Sequence, residues 1–498
     1  MMKKISGTLE RKALVLGMAN AVDFGLQFLL PVVLARALDV EAFGKYRLLW
    51  LAVLTTTSLV PLAMPQSLYY FMPRSDATRK RLYVNQTLLF LCATSFLAAL
   101  FMSPLNPWRP AAVRGVTDPD FLVAAFVFLW NVASLLDTLP TVDERIHWQA
   151  KLVVCLSGLR AISLSLVAIA TREFAPILVA LMLFVLFKLW LMFVYLAKHH
   201  GLGRPLLEWK ALRGQIAHAA PIGLSGALYG LRIQADQWVA ASLFPLGMFA
   251  AFSVAAVIGP MLYICRLSVN QVFLPSMSRL EAGGDVAGML GLNSRANVMV
   301  GALAYPLLAF AFVFAEDIIS VIYTASYIEA APVMRVYVFG LAALVVELGT
   351  VMLLLKEGPF ALRTNAVLLM LSASLSWYAA REAGLAGAAA GSVLAVYCDR
   401  FLTLRRISRR TGIPISRMQD WRALARLVCI AAVSVAIVWL FAHEQLTAQR
   451  PIARIAAVAP TMAFVYLVLY AIVDPDGRIT GFIRRRARNA WRRTEDYP

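Results

Sequence analysis

Apolar runs of about twenty residues recur about fourteen times between Ala13 and Val473, with short connections between them. A helix of ~20 residues rising ~1.5 Å per residue covers the ~30 Å hydrocarbon core of a bilayer. In lipid the backbone must satisfy its own polar groups, and runs this long do so as helices. The expected fold class is therefore an all-α polytopic membrane protein with no room for a separate soluble domain. Spans are expected near 13–38, 46–72, 83–105, 120–140, 152–171, 174–198, 216–244, 247–272, 290–315, 330–355, 359–380, 384–404, 421–442 and 451–473. Composition agrees: 60% of the 498 residues are hydrophobic and 15% charged, against ~25% charged in soluble domains.

The net charge of +19 raises the question of nucleic acid, and the placement of the charge answers it. Most of the 47 Lys and Arg fall in one alternate set of loops and termini. That set holds Lys3, Lys4, Arg11 and Lys12, then Arg74, Arg79, Lys80 and Arg81, then Lys198, Arg204, Lys210 and Arg213. The run Arg405, Arg406, Arg409, Arg410 and the tail Arg484, Arg485, Arg486, Arg488 complete it. This positive-inside bias predicts both termini in the cytoplasm, with the basic tail facing anionic lipid headgroups rather than nucleic acid. The first apolar stretch lacks a small-residue cleavage site and carries Asp23, Gln27 and Pro31, so it reads as a retained helix.

Catalytic constellations are not visible. The sequence has no GxxxxGK[ST], HExxH or GxSxG, and its five His are scattered. Cys92, Cys155, Cys265, Cys398 and Cys429 all lie in apolar stretches without a CxxC, and read as small core residues. Outer connections are short, the longest being Pro107–Asp118 and Glu316–Glu329. An enzyme acting on sugars at the membrane needs larger outer loops or paired acids, so the chain is not expected to be an enzyme.

A faint internal repeat links the first two spans to the seventh and eighth. Leu34-Ala35-Arg36-Ala37-Leu38, Phe43-Gly44-Lys45-Tyr46 and Met72-Pro73-Arg74-Ser75 are echoed by Ala240-Ala241-Ser242-Leu243, Phe249-Ala250-Ala251-Phe252 and Leu274-Pro275-Ser276-Met277-Ser278. Six spans separate the copies, an even number, so both enter the membrane the same way round. Two six-helix lobes related by an axis along the membrane normal follow, as in many transporters. Expected boundaries are 1–215 for the first lobe and its linker, 216–410 for the second, 411–473 for two extra helices and 474–498 for the basic tail.

Polar residues within spans are costly and normally face a bundle interior or a wet cavity. Asn20, Asp23 and Gln27 share one face of the first span by their spacing of 3 and 4; Ser225, Tyr229, Arg232 and Asp236 share one face of the seventh. Both stripes are expected to line a central cavity. Arg232 and Asp236, four apart, either neutralise one another or serve a ligand, the acid taking a coupling cation or proton and the Arg an anion. Further intramembrane cations are Arg36, Arg160, Lys188, Arg266, Arg295 and Arg335, with Lys188 expected to snorkel to an interface. Asp137, Glu347 and Asp399 are the remaining acids, the first two without an evident partner and the third beside Arg400. An excess of buried cations suits an anionic ligand, since guanidinium makes two parallel charge-assisted hydrogen bonds to phosphate. The expected anion contacts are Arg232, Arg266, Arg295 and Arg36. The expected cavity-lining or ion-coupling residues are Asp23, Asp236, Asn20, Gln27 and Tyr229.

Three stretches in order carry a family resemblance. Leu34–Leu38 with Phe43-Gly44-Lys45-Tyr46 resembles the first-helix exit of Wzx-type polysaccharide flippases, in the multidrug/oligosaccharidyl-lipid/polysaccharide exporter superfamily. Phe314-Ala315-Glu316-Asp317-Ile318-Ile319 with Tyr323, Tyr327 and Ala330-Ala331 is similar to the segment between that family's ninth and tenth helices, with Thr324 where Gly is usual. Leu274–Leu280 with Gly283-Gly284-Asp285 resembles its cytoplasmic loop after helix eight. The resemblance implies alternating access in a bacterial inner membrane. The substrate implied is an undecaprenyl-pyrophosphate-linked oligosaccharide repeat unit, for O-antigen, lipopolysaccharide or exopolysaccharide synthesis. Polymerase and chain-length proteins of the same pathway are implied partners, and an H+ or Na+ gradient rather than a bound cofactor is the implied drive. A lipid II flippase and a multidrug antiporter share the superfamily and stand as alternatives.

Overall fold

A computed structural model of the chain describes residues 2–109, 111–114, 121–201, 203–445 and 450–473, with side chains from residue 15 onward except at 111 and 443–445. The Arg tail lies outside the described residues. Regular structure there is helical throughout: α1 (Met2–Ala37), α2 (Val40–Leu59), α3 (Met64–Phe71), α4 (Ala77–Met102), α5 (Phe121–Ala133), α6 (Leu135–Val142), α7 (Ile146–Thr171), α8 (Phe174–His199), α9 (Trp209–Leu243), α10 (Leu246–Val254), α11 (Gly259–Ala282), α12 (Val286–Val313), α13 (Ala315–Ile322), α14 (Ala330–Leu344), α15 (Gly349–Leu354), α16 (Gly358–Thr411), α17 (Ile415–Met418), α18 (Trp421–Gln445) and α19 (Pro451–Val473). Eleven helical stretches are long and apolar enough to cross a membrane, which makes this a multi-pass membrane protein. Each of the expected spans falls on helix. The 35-residue α9 is too polar to be among the eleven, and α16 takes in two expected spans, bending at Ala383 (φ −126°) and Gly384 (φ 62°, ψ −145°).

Four of the expected spans are interrupted. The second breaks at residues 60–63, where Pro61 has no N–H to give and Leu62 (φ 41°) and Ala63 (φ 57°) turn left-handed before Pro65 restarts the helix. The fourth breaks at Ser134, the eighth passes through a short 3-10 turn at Ala255–Ile258 before Pro260, and the tenth opens at Val345–Leu348. Pro275 lies inside α11, which runs on to Ala282. Glu316–Glu329, expected as an outer loop, is instead the amphipathic α13 plus a 3-10 turn, with Glu316 and Asp317 in the first turn where the helix dipole favours acids.

The chain forms two compact units. The first comprises Met1–Ser253, Ile322–Tyr327 and Asn365–Ser392; the second comprises Val254–Val321, Ile328–Thr364 and Val393–Pro498. In the first, α1 lies along α7, α4 along α5, and α9 crosses α2 and α3. Two glycines permit the last crossing: a Cβ on Gly223 would overlap the Leu62 backbone and one on Gly230 would meet Ser58, whereas one on Gly226 would meet nothing. Leu68, Leu91, Leu135, Leu136, Leu139 and Met192 form a buried core beside it. In the second unit α12 packs on α11, α14 and α18, and α18 on α19.

The turn joining α6 to α7 carries a polar latch. Tyr195 Oη donates to Asp143 Oδ2 at 2.6 Å and His200 Nε2 lies 2.9 Å from the same oxygen. Burial alone pulls the Asp143 pKa up, but the bonds from His200 and Tyr195 outweigh it, and the carboxyl sits below its ordinary value. A carboxylate lowered in the folded state adds stability above its unfolded pKa and loses it as pH falls through the folded one. Asp143→Asn is therefore expected to lower the apparent melting temperature at neutral pH and to flatten its fall below about pH 4, followed by thermal-shift measurements in detergent. Gly223→Ala should cost about 1–3 kcal/mol through overpacking, read as earlier loss of the monodisperse peak on heating, whereas Gly226→Ala should leave the peak unchanged.

Candidate functional site

The polar stripe expected on the seventh span falls on α9 in the first unit. Arg232 and Asp236 are 7% and 3% exposed, while Tyr229 is half exposed. The Arg232 guanidinium lies over the Tyr229 ring, 5.3 Å from its centroid. Asp236 accepts the Gln237 N–H at 2.8 Å and the Ser392 hydroxyl at 2.6 Å. A buried acid and a buried base thus sit one helical turn apart, with a phenol reaching the surface beside them. Gln234, between them, meets the Thr55 hydroxyl, which also accepts the Trp238 indole N–H at 2.8 Å.

On α1 the stripe is divided. Asn20 and Gln27 are exposed and Asp23 is half-buried. Gln27 Nε2 donates to Asp23 Oδ2 at 2.7 Å, and the Ser157 hydroxyl of α7 donates to Asp23 Oδ1. Asp23 is thereby engaged in holding α1 to α7.

A second cluster in the same unit was not assembled from the sequence. Arg160 on α7 lies over two indoles, 5.4 Å from the Trp50 ring and 5.9 Å from the Trp130 ring. Lys188 on α8 lies 5.2 Å from Trp130 and 2.7 Å from Asp137 Oδ2. Lys188 therefore does not snorkel: it is 5% exposed and ion-paired. Asp137, read as lacking a partner, is that partner. The two indoles meet edge to face at 4.9 Å. These five residues come from five helices, so no local spacing points to them.

Of the other expected anion contacts, Arg36 is in the first unit and Arg266 and Arg295 are in the second. Arg36 is exposed and its Nε donates to the Ile322 carbonyl at 3.0 Å. In the second unit Arg266 Nη2 lies 3.9 Å from the Glu347 carboxylate, so Glu347 is not partnerless either. Arg295 is exposed on α12. Asp399 pairs with Arg400 at 2.9 Å, as their adjacency suggested. The four Arg expected to gather on one anion therefore divide between the units, with Arg36 and Arg232 in the first and Arg266 and Arg295 in the second. All five cysteines are free, and none is buried: Cys155 and Cys429 are exposed and the rest half-buried. In a bilayer that surface is apolar, so a thiol is at home there as it would be in a core. Among the described residues no group of His, Cys, Asp and Glu could hold a metal ion.

No protein-family model matches this chain, and no curated protein matches it by sequence. Solved structures do match in fold. A lipid II flippase MurJ in an inward closed conformation superposes with a TM-score of 0.71 at 11% identity, over 93% of this chain and 99% of that one. An inward-facing multidrug resistance MATE family transporter of the MOP superfamily superposes with a TM-score of 0.57 at 12% identity, over 78% and 95%. The first coverage leaves fewer residues unmatched than α18 and α19 contain, so the likeness reaches into the last two helices. At these identities the match is one of fold alone.

The Lys188–Asp137 pair is asymmetric, with side chains 7% and 54% exposed. Asp137→Asn strands a buried ammonium and is expected to cost on the order of 2 kcal/mol, whereas Lys188→Met leaves a hydrated carboxylate and costs less. Thermal-shift comparison of the two singles with the double variant checks the ordering, the double falling near Lys188→Met.

Proposed function

We propose that this chain is an alternating-access transporter that carries the pyrophosphate headgroup of a polyprenyl-linked oligosaccharide across the bacterial inner membrane, with both termini cytoplasmic. The observation that carries the reading is the likeness in fold to a lipid II flippase over nearly the whole of both chains. Sequence adds the resemblance of Leu34–Tyr46, Leu274–Asp285 and Phe314–Ala331 to polysaccharide flippases, which favours a glycan repeat unit. A bare pyrophosphate in hydrocarbon is prohibitively costly, so a carrier has to offer fixed positive charge along a hydrated route. Arg232, buried in a membrane helix beside the exposed Tyr229 ring, is the proposed anion contact. Asp236, one turn from Arg232 and held by the Ser392 hydroxyl of α16, is the proposed coupling acid for H+ or Na+. Asn20, Gln27 and Asp23 are proposed to line the route, with Arg266, Arg295 and Arg36 as further charges along it. Polymerase and chain-length proteins would act on the delivered unit.

The second reading, a lipid II flippase, is favoured by the identity of the solved structure. Deletion followed by analysis of lipid-linked intermediates separates the two. The glycan reading expects undecaprenyl-linked repeat units to accumulate and surface polysaccharide to disappear. Rescue of peptidoglycan synthesis in a strain depleted of its lipid II flippase would move the chain to the second reading. Unchanged surface glycan with new drug sensitivity would overturn both. In complementation at matched protein level, Arg232→Ala should lower export at least tenfold and Arg232→Lys should restore part of it, since a point charge keeps attraction but loses the bidentate geometry.

A further inference from the structure

The second unit holds a cationic pocket that the transport reading leaves unused. It is about 560 Å³ in volume, lined by Leu354, Leu355, Lys356, Glu357, Pro359, Phe360, Arg363, Arg406 and Arg410, with Glu281 at one side. Four helix ends build it: the end of α15, both ends of α16 and the end of α11. The two ends of α16 reach one place because the helix bends midway at Ala383–Gly384, and an ion pair joins them. Arg406 Nε and Nη2 donate to Glu357 at 2.9 and 3.2 Å, and Arg410 lies 3.6 Å from the same carboxylate. The Arg406 guanidinium also lies 5.3 Å from the Phe360 ring centroid.

The pocket has two chemically distinct parts. Its floor is settled: Glu357 is buried and Arg406 is committed to it. Its rim carries surplus positive charge, for Lys356 and Arg363 are exposed, and across the pocket four cations face two carboxylates. Leu354, Leu355, Pro359 and Phe360 add an apolar wall. It sits where α15 and α16 leave their apolar stretches, the depth at which headgroups meet a bilayer-spanning helix.

We propose that this pocket binds the phosphate of an anionic membrane phospholipid, with Lys356 and Arg363 as its contacts and the apolar wall receiving the start of the acyl chains. A free inorganic anion shares the phosphate chemistry but has no use for the wall. The site is independent of the transported substrate: it lies within one unit, and its contacts are not among the residues placed on the transport route.

Native mass spectrometry of the full chain in detergent, titrated with dioleoyl-phosphatidylglycerol, dioleoyl-phosphatidylcholine or inorganic pyrophosphate, tests the assignment. The expected result is retention of phosphatidylglycerol over phosphatidylcholine by the wild type, weakened roughly tenfold or more in the double variant Lys356→Gln/Arg363→Gln. Both positions are exposed, so folding is spared. Glu281→Gln, which removes a facing negative charge, should tighten binding. Equal binding by the wild type and the double variant would overturn the proposal, as would equal retention of the two lipids. Pyrophosphate displacing the lipid and binding as tightly alone would also overturn it, and would assign the pocket to a soluble anion.

Discussion

A membrane helix that opens has to find partners for the backbone groups it releases, and Asn297 shows how this chain does it. At the opening between α14 and α15, Asn293 and Asn297 donate to the Glu347 carbonyl at 3.1 and 3.3 Å, and Asn297 Oδ1 accepts the Glu347 N–H at 3.1 Å. The Glu347 side chain then caps the restarting helix, accepting Gly349 N at 2.7 Å and Thr350 N at 3.3 Å. Arg400 donates to the Val346 carbonyl at 3.0 Å. Each unpaired group in hydrocarbon would cost several kcal/mol, so these side chains are what makes the irregular backbone tolerable. Intramembrane polarity in this unit is in large part a repair of broken helix, with Arg266 near the same carboxylate.

The same economy governs cations in the first unit. Arg36 ties the end of α1 to Ile322, and Arg47 donates to the Ser253 carbonyl at 3.1 Å. Lys188 is held by Asp137, and Arg160 by the faces of two indoles. An aromatic face attracts a guanidinium without neutralising it. That distinguishes Arg160, which lies over two indoles, from Lys188, whose charge meets a carboxylate. Surplus positive charge in the sequence is thus a poor count of charge offered to a ligand.

Fold class was legible because span length and apolar content are set by bilayer thickness, which acts on each segment alone. Interruptions were half legible. Proline alone does not mark them: one break holds Pro61 and Pro65, but Pro275 stays within a helix, since membrane neighbours can absorb a missing N–H. The opening at 345–348 has no Pro, and its cause is Asn293 and Asn297 some fifty residues earlier in the chain. Stripes on α1 and α9 were legible from spacing, but not what they touch: Ser157 for Asp23 and Ser392 for Asp236 are chosen by packing. Two motifs noted separately in the sequence turn out to be one structural feature. Phe43 packs edge to face on Tyr327 with centroids 5.7 Å apart, and Tyr327 Oη reaches the Ala35 carbonyl at 3.4 Å.

That contact bears on how the chain is written in its gene. Ile322–Tyr327 belongs to the first compact unit although it lies seventy residues beyond that unit's main stretch, and Asn365–Ser392 is a further inserted piece. The backbone passes between units five times. A fragment ending at Ser253 would lack the ring that fills the space beside Phe43, the most deeply buried aromatic of its motif. The two halves are therefore interleaved in sequence rather than laid end to end, so no single cut in the coding sequence yields either one whole.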